Sequence, residues 1–507
     1  MNNENTFKFD DLQALLRYSH GRLTDTCFLL LNVADVSQAK RWLDTAPISS
    51  AIKSDTLPDR ALQIAFTVEG LRVMGVEESV IDGFSDEFIM GMSGEESRSR
   101  RLGDIGMNAP QKWDWGGESK KIPHLMLMLY AKENAVESWR TSIETEDFAK
   151  AFHVIAELPT LYIGDIEPFG FKDGISQPVI DWECEQSTNA HEREGYSNLV
   201  AVGEVVLGYP NEYGLYTARP LIDEREDSVA SCLPHAEDKT ELKDLGRNGS
   251  YLVVRQLGQD VPGFWQFLYK MSASNFDKCE QLAASMVGRR RDGKPLVLKS
   301  VAAIPGISTQ NCDNHFTYDF DKEGYQCPIG AHVRRANPRT GDLPPRVTGV
   351  INRVMKKLGF DQKQEEDLVA STRFHRILRR GRSYGPELAP EEAIKADAKV
   401  AERGLQFMCL SANILRQFEF VQNAWSMSSK FSGMQQESDP LLGNREALMN
   451  SERTDQFNRP NKNGVTQKMY DLPRFVTVKG GGYFFMPGLR ALKYIVTVPI
   501  KEDENHE

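Results

Sequence analysis

The chain of 507 residues is long for one domain, so two domains or one large duplicated unit are expected. Its composition, 40% hydrophobic and 26% charged, is ordinary for a globular protein, and a formal net charge of -11 argues against non-specific nucleic-acid binding. No stretch approaches the roughly 18 apolar residues of a membrane span, and the N-terminus lacks the basic start and apolar core of a signal peptide. Seven cysteines without a CxxC pair predict neither a disulfide framework nor a zinc site, which fits a reducing cytoplasm. From these features together we expect a cytoplasmic protein that binds neither nucleic acid nor membranes.

The first half of the chain has the pattern of strands and helices in mixed order. Short apolar runs predict strands at 27–33, 61–68 and 125–131, of which 125–131 (LMLMLYA) is the clearest. A helix is predicted at 134–143. Pro168 and Pro178 exclude a continuous helix through the glycine-containing stretch between them.

The second half begins after a polar, turn-rich region at 184–250. Strands are predicted at 251–257 and 405–410, and an amphipathic stretch follows the first of them at 261–271. Behind the second strand, apolar residues recur at helical spacing from Ile414 to Trp425, with Asn413 placed to cap that helix. Strand–helix–strand units in both halves predict a duplicated α+β domain.

Two short segments carry most of the chemical information. Residues 170–174 read GFKDG, which places one acid, Asp173, in a loop where glycines let other groups approach the backbone closely. Residues 330–339 read GAHVRRANPR, in which one imidazole, His332, precedes several polar and cationic positions. An anionic planar cofactor would need such a combination.

Together these segments resemble the dye-decolorising peroxidases, a haem family marked by a GxxDG loop and by an axial histidine in a stretch like GAHVRRANPR. The resemblance extends from about residue 27 to residue 496. It implies an α+β fold of two ferredoxin-like domains, antiparallel sheets with peripheral helices, with haem between the sheet and helices of the C-terminal domain. We therefore expect an N-terminal domain at 1–200 that carries the GxxDG loop, an irregular connection at 201–250, and a C-terminal haem-binding domain at 251–507 with a charged insertion at about 342–371.

His332 is the predicted axial ligand of the haem iron, because neutral imidazole is the usual proximal donor in peroxidases. Any one of the nine histidines could instead be satisfied within a loop. The segments on both sides of His332 match the family closely, which favours the ligand.

Asp173 is the predicted proton carrier on the opposite face of the haem. Bound peroxide must move a proton from its near oxygen to its far oxygen before the O–O bond breaks, and a carboxylate can accept and return that proton. The alternative is a turn aspartate that caps local N–H groups. An aspartate in this role, rather than a histidine, predicts activity that favours lower pH.

The distal cation is expected from residues 374–385, FHRILRRGRSYG, which resemble the RILRRGxxYG segment of the family. The resemblance assigns the role to Arg379, whose guanidinium could hydrogen-bond peroxide without losing its charge. Arg376 and Arg380 are the nearest alternatives for this role. If the segment has no catalytic function, it is expected to be a basic strand on the surface.

The resemblance also implies contacts to the edges of the cofactor. Arg339 would pair with a haem propionate, with Arg334 and Arg335 as alternatives. His375 would lie near the cofactor edge or be buried and inert.

One position departs from the family pattern. Many members have an aspartate where this chain has Asn413, and an acid there can hydrogen-bond the proximal imidazole. Either Glu419 or another acid therefore takes its place, or the reduction potential is higher.

The sequence thus predicts a haem b peroxidase, with one haem per chain, that reduces hydrogen peroxide and oxidises bulky phenolic or dye-like organic molecules. The alternative is a haem-binding or haem-handling protein with little turnover, and a non-haem structural protein is a third reading. Asp173 and Arg379 favour the enzyme, because a carrier needs neither. The sequence leaves homo-oligomerisation open.

Overall fold

The computed structural model describes residues 7–54, 56–117, 121–184, 198–297, 313–340, 371–398, 401–445 and 453–500. Its central feature is a nine-stranded antiparallel sheet. The strands are β1 Asp25–Val33, β2 Arg60–Phe66, β3 Leu125–Ala131, β4 Phe152–Leu158, β5 Ser250–Gln259, β6 Leu378–Arg379, β7 Arg382–Tyr384, β8 Gly404–Ser411 and β9 Val476–Met486. Their order across the sheet is β6-β8-β5-β9-β2-β3-β1-β4, and β7 also pairs with β8.

The two halves of the chain contribute separate parts of this sheet. Strands β1 to β4 come from the first half and β5 to β9 from the second, and β9 joins β2 through the register pair Phe485–Phe66. The predicted α+β class is confirmed. The strand predicted at 125–131 has those bounds, and the other predicted strands agree within about two residues at each end. The domain boundaries at 1–200, 201–250 and 251–507 stay a prediction, and 342–370 lie outside the described residues.

Strands β1, β2 and β3 are largely apolar and buried because both faces of this part of the sheet are covered. Side chains alternate between the faces of a strand. Along β3, Leu127 and Leu129 therefore lie in one core layer, whereas Met126 and Met128 lie in the other. The first layer also contains buried residues of the helices Val261–Met271 and Phe276–Val287, and Val287 at the end of the second helix lines the functional cavity.

Helices and short turns surround the sheet. The α-helices span Ala14–Arg17, Val36–Thr45, Val68–Val73, Glu78–Ile81, Asp86–Met90, Glu96–Leu102, Val136–Ile143, Glu146–Ala151, Val261–Met271, Phe276–Val287, His332–Ala336, Pro390–Ala393 and Leu489–Thr497. Short 3-10 turns span Gly106–Asn108, Pro110–Lys112, Val202–Glu204, Ser228–Cys232, Ser371–His375 and Phe431–Gly433. Two-stranded pairs join Val179–Asp181 to Leu199–Ala201, Leu221–Ile222 to Lys243–Asp244 and Phe457–Arg459 to Gln467–Met469. Within the described ranges, every helix is too short or too polar to cross a membrane.

The helix predicted after Asn413 has a wider winding than expected. It forms π-helical turns at Leu415–Glu419 and Val421–Met427, with the N–H of Glu419 donating to Ile414 O at 2.9 Å. Asn413 Oδ1 accepts from the N–H of Arg416 at 2.8 Å, so the predicted cap is confirmed. The Gln417 side chain accepts from Asn413 N and donates to Glu204 O, so side-chain bonds satisfy backbone groups around the first turn. Such windings are rare and occur frequently at functional sites.

Candidate active site

A cavity lies between the second-half strands of the sheet and the helices packed against them. The sheet side is lined by Leu257, Leu405 and Phe407, and the facing side by Val333, Ala336, Phe418, Val421 and Leu441. The space between these walls, including its open mouth, is about 1450 Å³. Most of the wall residues are apolar, as in sites that bind flat organic molecules.

The loop at 170–174 places Asp173 on this cavity. Gly170 and Gly174 have φ values of 90° and 78°, in the left-handed region that favours glycine, which explains both glycines of the motif. The Glu167 carboxylate fixes the same loop by accepting from the N–H groups of Phe169 and Phe171 at 3.0 and 3.1 Å. Burial raises the pKa of Glu167 to about 7.

Strand geometry decides which arginine of the RILRRG segment reaches the cavity. Arg379 on β6 lines the cavity, whereas the next residue, Arg380, points to the opposite face and donates to Leu15 O at 2.8 Å. Gly381 then separates β6 from β7, and a Cβ there would lie 2.5 Å from Gln406 O. The predicted choice of Arg379 over Arg380 therefore agrees with the geometry, while Arg376 lines the cavity as well.

Arg379 and Asp173 form an ion pair. Arg379 Nη1 donates to Asp173 Oδ1 at 2.8 Å, and this is the guanidinium's one hydrogen bond among the described residues. Burial alone would raise the pKa of Asp173, but the Arg379 charge and the N–H of Gly174 outweigh it and lower that pKa below its ordinary value. The aspartate exposes 37% of its side chain, and since it lines the cavity, much of that surface is available to a ligand there.

His332 opens the short helix His332–Ala336 on the helical wall of the cavity. Its Nδ1 lies 2.8 Å from Oδ2 of Asp439, so the carboxylate accepts the Nδ1 proton and leaves Nε2 as the other ring nitrogen. Burial alone would lower the pKa of His332, but the Asp439 carboxylate reverses that effect and raises it.

The acid that hydrogen-bonds His332 is Asp439, rather than a residue at or near position 413. It is fully buried, and its Oδ1 accepts from the N–H groups of Leu441 and Leu442 at 2.9 and 3.0 Å. Asn413 caps a helix instead. Glu419 accepts from the Tyr483 hydroxyl at 2.9 Å and pairs with Arg98, so it is not the partner of His332.

The three arginines expected at the propionates do not line the cavity. All are buried, and their guanidinium groups are largely directed to backbone carbonyls. Arg334 donates to Cys327 O at 2.7 Å, Arg335 to four carbonyl oxygens including Trp425 O at 2.7 Å, and Arg339 to Asn314 O at 2.8 Å. Their contacts favour a structural role.

Two other arginines, Arg289 and Arg376, do line the cavity. Arg289 donates to Gly293 O and to the Ser176 hydroxyl, and no carboxylate of the described ranges forms a salt bridge with it. Burial and the nearby Arg339 charge lower the pKa of Arg289 to about 10, so an anion beside it would be stabilised. Arg376 donates to Asn198 Oδ1 at 3.3 Å.

His375 also borders the cavity, as one of its two predicted placements had it. Its ring stacks on Phe420, with centroids 3.7 Å apart and planes 5° apart. Burial lowers the pKa of His375 to about 4, so the ring is neutral near pH 7.

The residues of the cavity fit haem in three respects. The walls are apolar and accommodate a flat ring, His332 offers Nε2 as an iron ligand, and Arg289 is a buried cation that the propionates could pair with. Histidines that ligate metals usually bind an acid or a carbonyl through their other ring nitrogen, and Asp439 provides such an acid at Nδ1 of His332.

Sequence reasoning missed Asp439 and Arg289. Asp439 lies 107 positions from His332, and no local pattern separates it from the other acids. Arg289 begins the Arg289–Arg291 run, which by itself has the pattern of a solvated surface.

The chain as a whole is similar in sequence to known peroxidases. No protein-family model matches the chain. A dye-decolorizing peroxidase of Mycena epipterygia is 28% identical over 93% of this chain and 84% of its own length, and the multifunctional dye peroxidase of an Amycolatopsis species is 28% identical over 96% and 95%.

Solved structures share the fold over almost the whole chain. The DyP-type peroxidase of Anabaena has a TM-score of 0.68 at 24% identity and covers 96% of this chain and 94% of its own. An ancestral D-type dye-decolorizing peroxidase has a TM-score of 0.71 at 23% identity, with coverage of 97% and 100%. The chain therefore has the fold of the dye-decolorising peroxidases, and relatives of that name match nearly its whole sequence at 28% identity.

Proposed function

We propose that this chain is a haem-dependent peroxidase that reduces hydrogen peroxide and oxidises bulky organic molecules such as phenols and dyes. One observation carries the proposal: the pairs His332–Asp439 and Asp173–Arg379 border the same apolar cavity, one on its helical wall and one beside the sheet. The proposed cofactor is haem b, one per chain, and His332 would hold its iron.

Haem, when bound, supplies the redox-active iron. His332 would hold the iron through Nε2, while Asp439 fixes the ring orientation and the tautomer through Nδ1. The same carboxylate gives the imidazole more anionic character, which stabilises oxidised iron.

Asp173 would move the proton of hydrogen peroxide from one oxygen to the other. Its Oδ1 is held by Arg379, so Oδ2 is the oxygen available to accept and return that proton. Arg379 keeps the carboxylate ionised at working pH and offers its remaining N–H groups to the peroxide oxygens. The two residues thus bind, orient and deprotonate the oxidant.

Arg289 and Arg376 are the proposed partners of the haem propionates, since both border the cavity. The earlier assignment to Arg339, Arg334 or Arg335 stays a prediction, which their carbonyl contacts do not favour. A cytoplasmic location and a homo-oligomeric state likewise stay predictions.

A haem-handling protein with little turnover is the competing function. Such a carrier has no need of the Asp173–Arg379 pair, whose two partly exposed side chains line the cavity. Asp173 and Arg379 therefore favour the enzyme.

The test uses the full chain produced with a haem supply. We expect a haem absorption band and peroxide-dependent oxidation of 2,6-dimethoxyphenol, a phenol that a solved dye-decolorizing peroxidase binds. His332→Ala should lose the band, whereas His153→Ala, an exposed histidine on β4, should keep it. Haem binding without oxidation would support the carrier, and an unchanged spectrum in His332→Ala would refute the assigned ligand.

A further inference from the structure

Gln177 lies outside the cavity lining, yet both polar atoms of its side chain contact Arg379. The N–H of Arg379 donates to Gln177 Oε1 at 3.0 Å, and Gln177 Nε2 donates to Arg379 O at 3.2 Å. One amide thus satisfies both backbone groups of the distal arginine.

The position of β6 in the sheet explains why these groups are available. β6 lies at the end of the sheet and pairs with β8 on one side only. In an antiparallel pair, alternate residues direct their backbone groups toward the partner strand and away from it. The N–H of Arg380 donates to Met408 O on β8. The backbone N–H and C=O of Arg379 therefore face the free edge of the sheet, where the Gln177 side chain binds them as a neighbouring strand would.

Gln177 also belongs to the segment that carries Asp173. It follows Asp173 by four positions, and its own backbone is fixed: its N–H donates to Ile175 O, and its carbonyl accepts from Asn314 Nδ2, both at 3.0 Å. The side chain therefore links the Asp173 segment to the strand that bears Arg379.

We infer that Gln177 is a positioning residue that sets the backbone from which the Arg379 guanidinium reaches Asp173 and the ligand site. It touches neither the cofactor space nor the oxidant and acts through Arg379. The inference rests on the proposed function, in which the Asp173–Arg379 pair handles peroxide.

The chain contains a matched control for this contact. Gln13 binds Ile64 on β2 in the same way: its Oε1 accepts from Ile64 N at 2.9 Å and its Nε2 donates to Ile64 O at 3.0 Å. Gln13 is fully buried and lies in the first half of the chain, away from the cavity lining. Its Nε2 also donates to Pro487 O at 2.8 Å, so replacing Gln13 removes at least as many bonds to the backbone without touching the arginine.

The experiment compares the haem-loaded full chain with Gln177→Leu, Gln177→Glu, Gln13→Leu and Arg379→Leu. Three quantities are measured: the rate constant with hydrogen peroxide per bound haem, the affinity for fluoride from the absorption spectrum, and the unfolding temperature. Gln177→Leu should lower the peroxide rate about ten- to a hundredfold, since small displacements of a catalytic group have effects of that size. Its fluoride affinity should fall in parallel with that of Arg379→Leu.

Gln13→Leu should lower the unfolding temperature while keeping the peroxide rate and fluoride affinity within about twofold of wild type. Gln177→Glu retains the acceptor for Arg379 N but loses the donor for Arg379 O, so an intermediate effect is expected. If Gln177→Leu does not fold, Gln177→Glu is the variant that tests the inference.

The outcomes separate the inference from the function on which it rests. If the Gln177 variants behave like Gln13→Leu while Arg379→Leu is impaired, Gln177 is merely structural and the inference is overturned. If wild type does not react with peroxide, the proposed function fails, and fluoride binding still reports whether Gln177 positions Arg379.

Discussion

Arg379 Nη1 lies 2.8 Å from Asp173 Oδ1, although the two residues are 206 positions apart in the sequence. The arginine exposes 27% of its side chain and the aspartate 37%, and both line the cavity. The pair therefore has unused donors and an unused acceptor that a ligand can reach. The same contact lowers the pKa of Asp173 and thereby prepares it to accept a proton.

Replacing Arg379 by leucine should slow the reaction with hydrogen peroxide at least about a hundredfold, because one pre-placed donor typically contributes about 3 to 4 kcal/mol of transition-state stabilisation. Stopped-flow mixing with peroxide measures this rate. Arg382→Leu is the control, since Arg382 on β7 lies outside the cavity lining and donates to Ser19 O and His20 O. A near-normal rate in Arg379→Leu, together with a large loss in Arg376→Leu, would show that Arg376 holds the role.

Replacing Asp173 by asparagine should slow the same reaction by about a hundredfold to ten-thousandfold, the usual contribution of general acid–base assistance. Haem content and fold should persist, because asparagine has nearly the same shape. Asp165→Asn, at an exposed acid of the same loop region, should react like wild type. If Asp173→Asn also reacted at the normal rate, Asp173 would be a turn residue.

The pH dependence of the peroxide reaction should follow the lowered pKa of Asp173. A carboxylate with a lowered pKa stays ionised into acid solution, so the rate should hold there and decline only as the pH falls through that pKa. In Arg379→Leu, burial is no longer opposed by the cation, and the acid limb should move to higher pH.

Rate measurements across pH on wild type and Arg379→Leu test this shift. The other groups coupled to this carboxylate, His332 and Glu167, are the same in both proteins. Acid limbs at the same pH would mean that Arg379 does not control the ionisation of Asp173.

Replacing Asp439 by asparagine should weaken haem retention or activity about ten- to a hundredfold, as loss of such a hydrogen-bonding partner typically does. The reduction potential should rise, because a neutral amide gives the imidazole less anionic character. Haem transfer to a scavenger protein and a redox titration measure the two effects. Asp321→Asn is the matched control: this buried aspartate binds Cys327 N and Arg334 but not His332. Equal behaviour of the two variants would argue against a special role for Asp439.

Replacing Arg289 by leucine should weaken haem binding, because a buried cation at the cavity would no longer pair with a propionate. Arg334→Leu should instead lower the unfolding temperature, by loss of its bond to Cys327 O, and leave haem affinity within about threefold of wild type. Haem titration and thermal unfolding of both variants distinguish these outcomes. If Arg334→Leu weakened haem binding and Arg289→Leu did not, the prediction that an arginine of the GAHVRRANPR segment pairs with a propionate would be supported.

Features that depend on neighbouring residues were predictable from the sequence. The strand Leu125–Ala131 has its predicted bounds because a continuous apolar run directs side chains into the core layers on both faces of a sheet. Gly170 and Gly174 have left-handed backbone conformations that few other residues adopt. The two glycines of the GxxDG pattern are therefore explained by the conformation of the loop itself. The choice of Arg379 over Arg380 came from the family resemblance, and strand alternation explains it.

Only the tertiary structure decided which distant residues meet. Asp439 rather than Glu419 accepts from His332, Arg289 rather than Arg334 faces the cavity, and Gln177 reaches the backbone of Arg379 across 202 positions. Each contact depends on where a loop passes over the sheet, and residues far apart along the chain leave no periodic signal of their proximity. Backbone conformation and hydrophobic periodicity depend on residues that are close in the sequence, so they can be predicted from it. Hydrogen bonds between distant segments form only when the segments pack together.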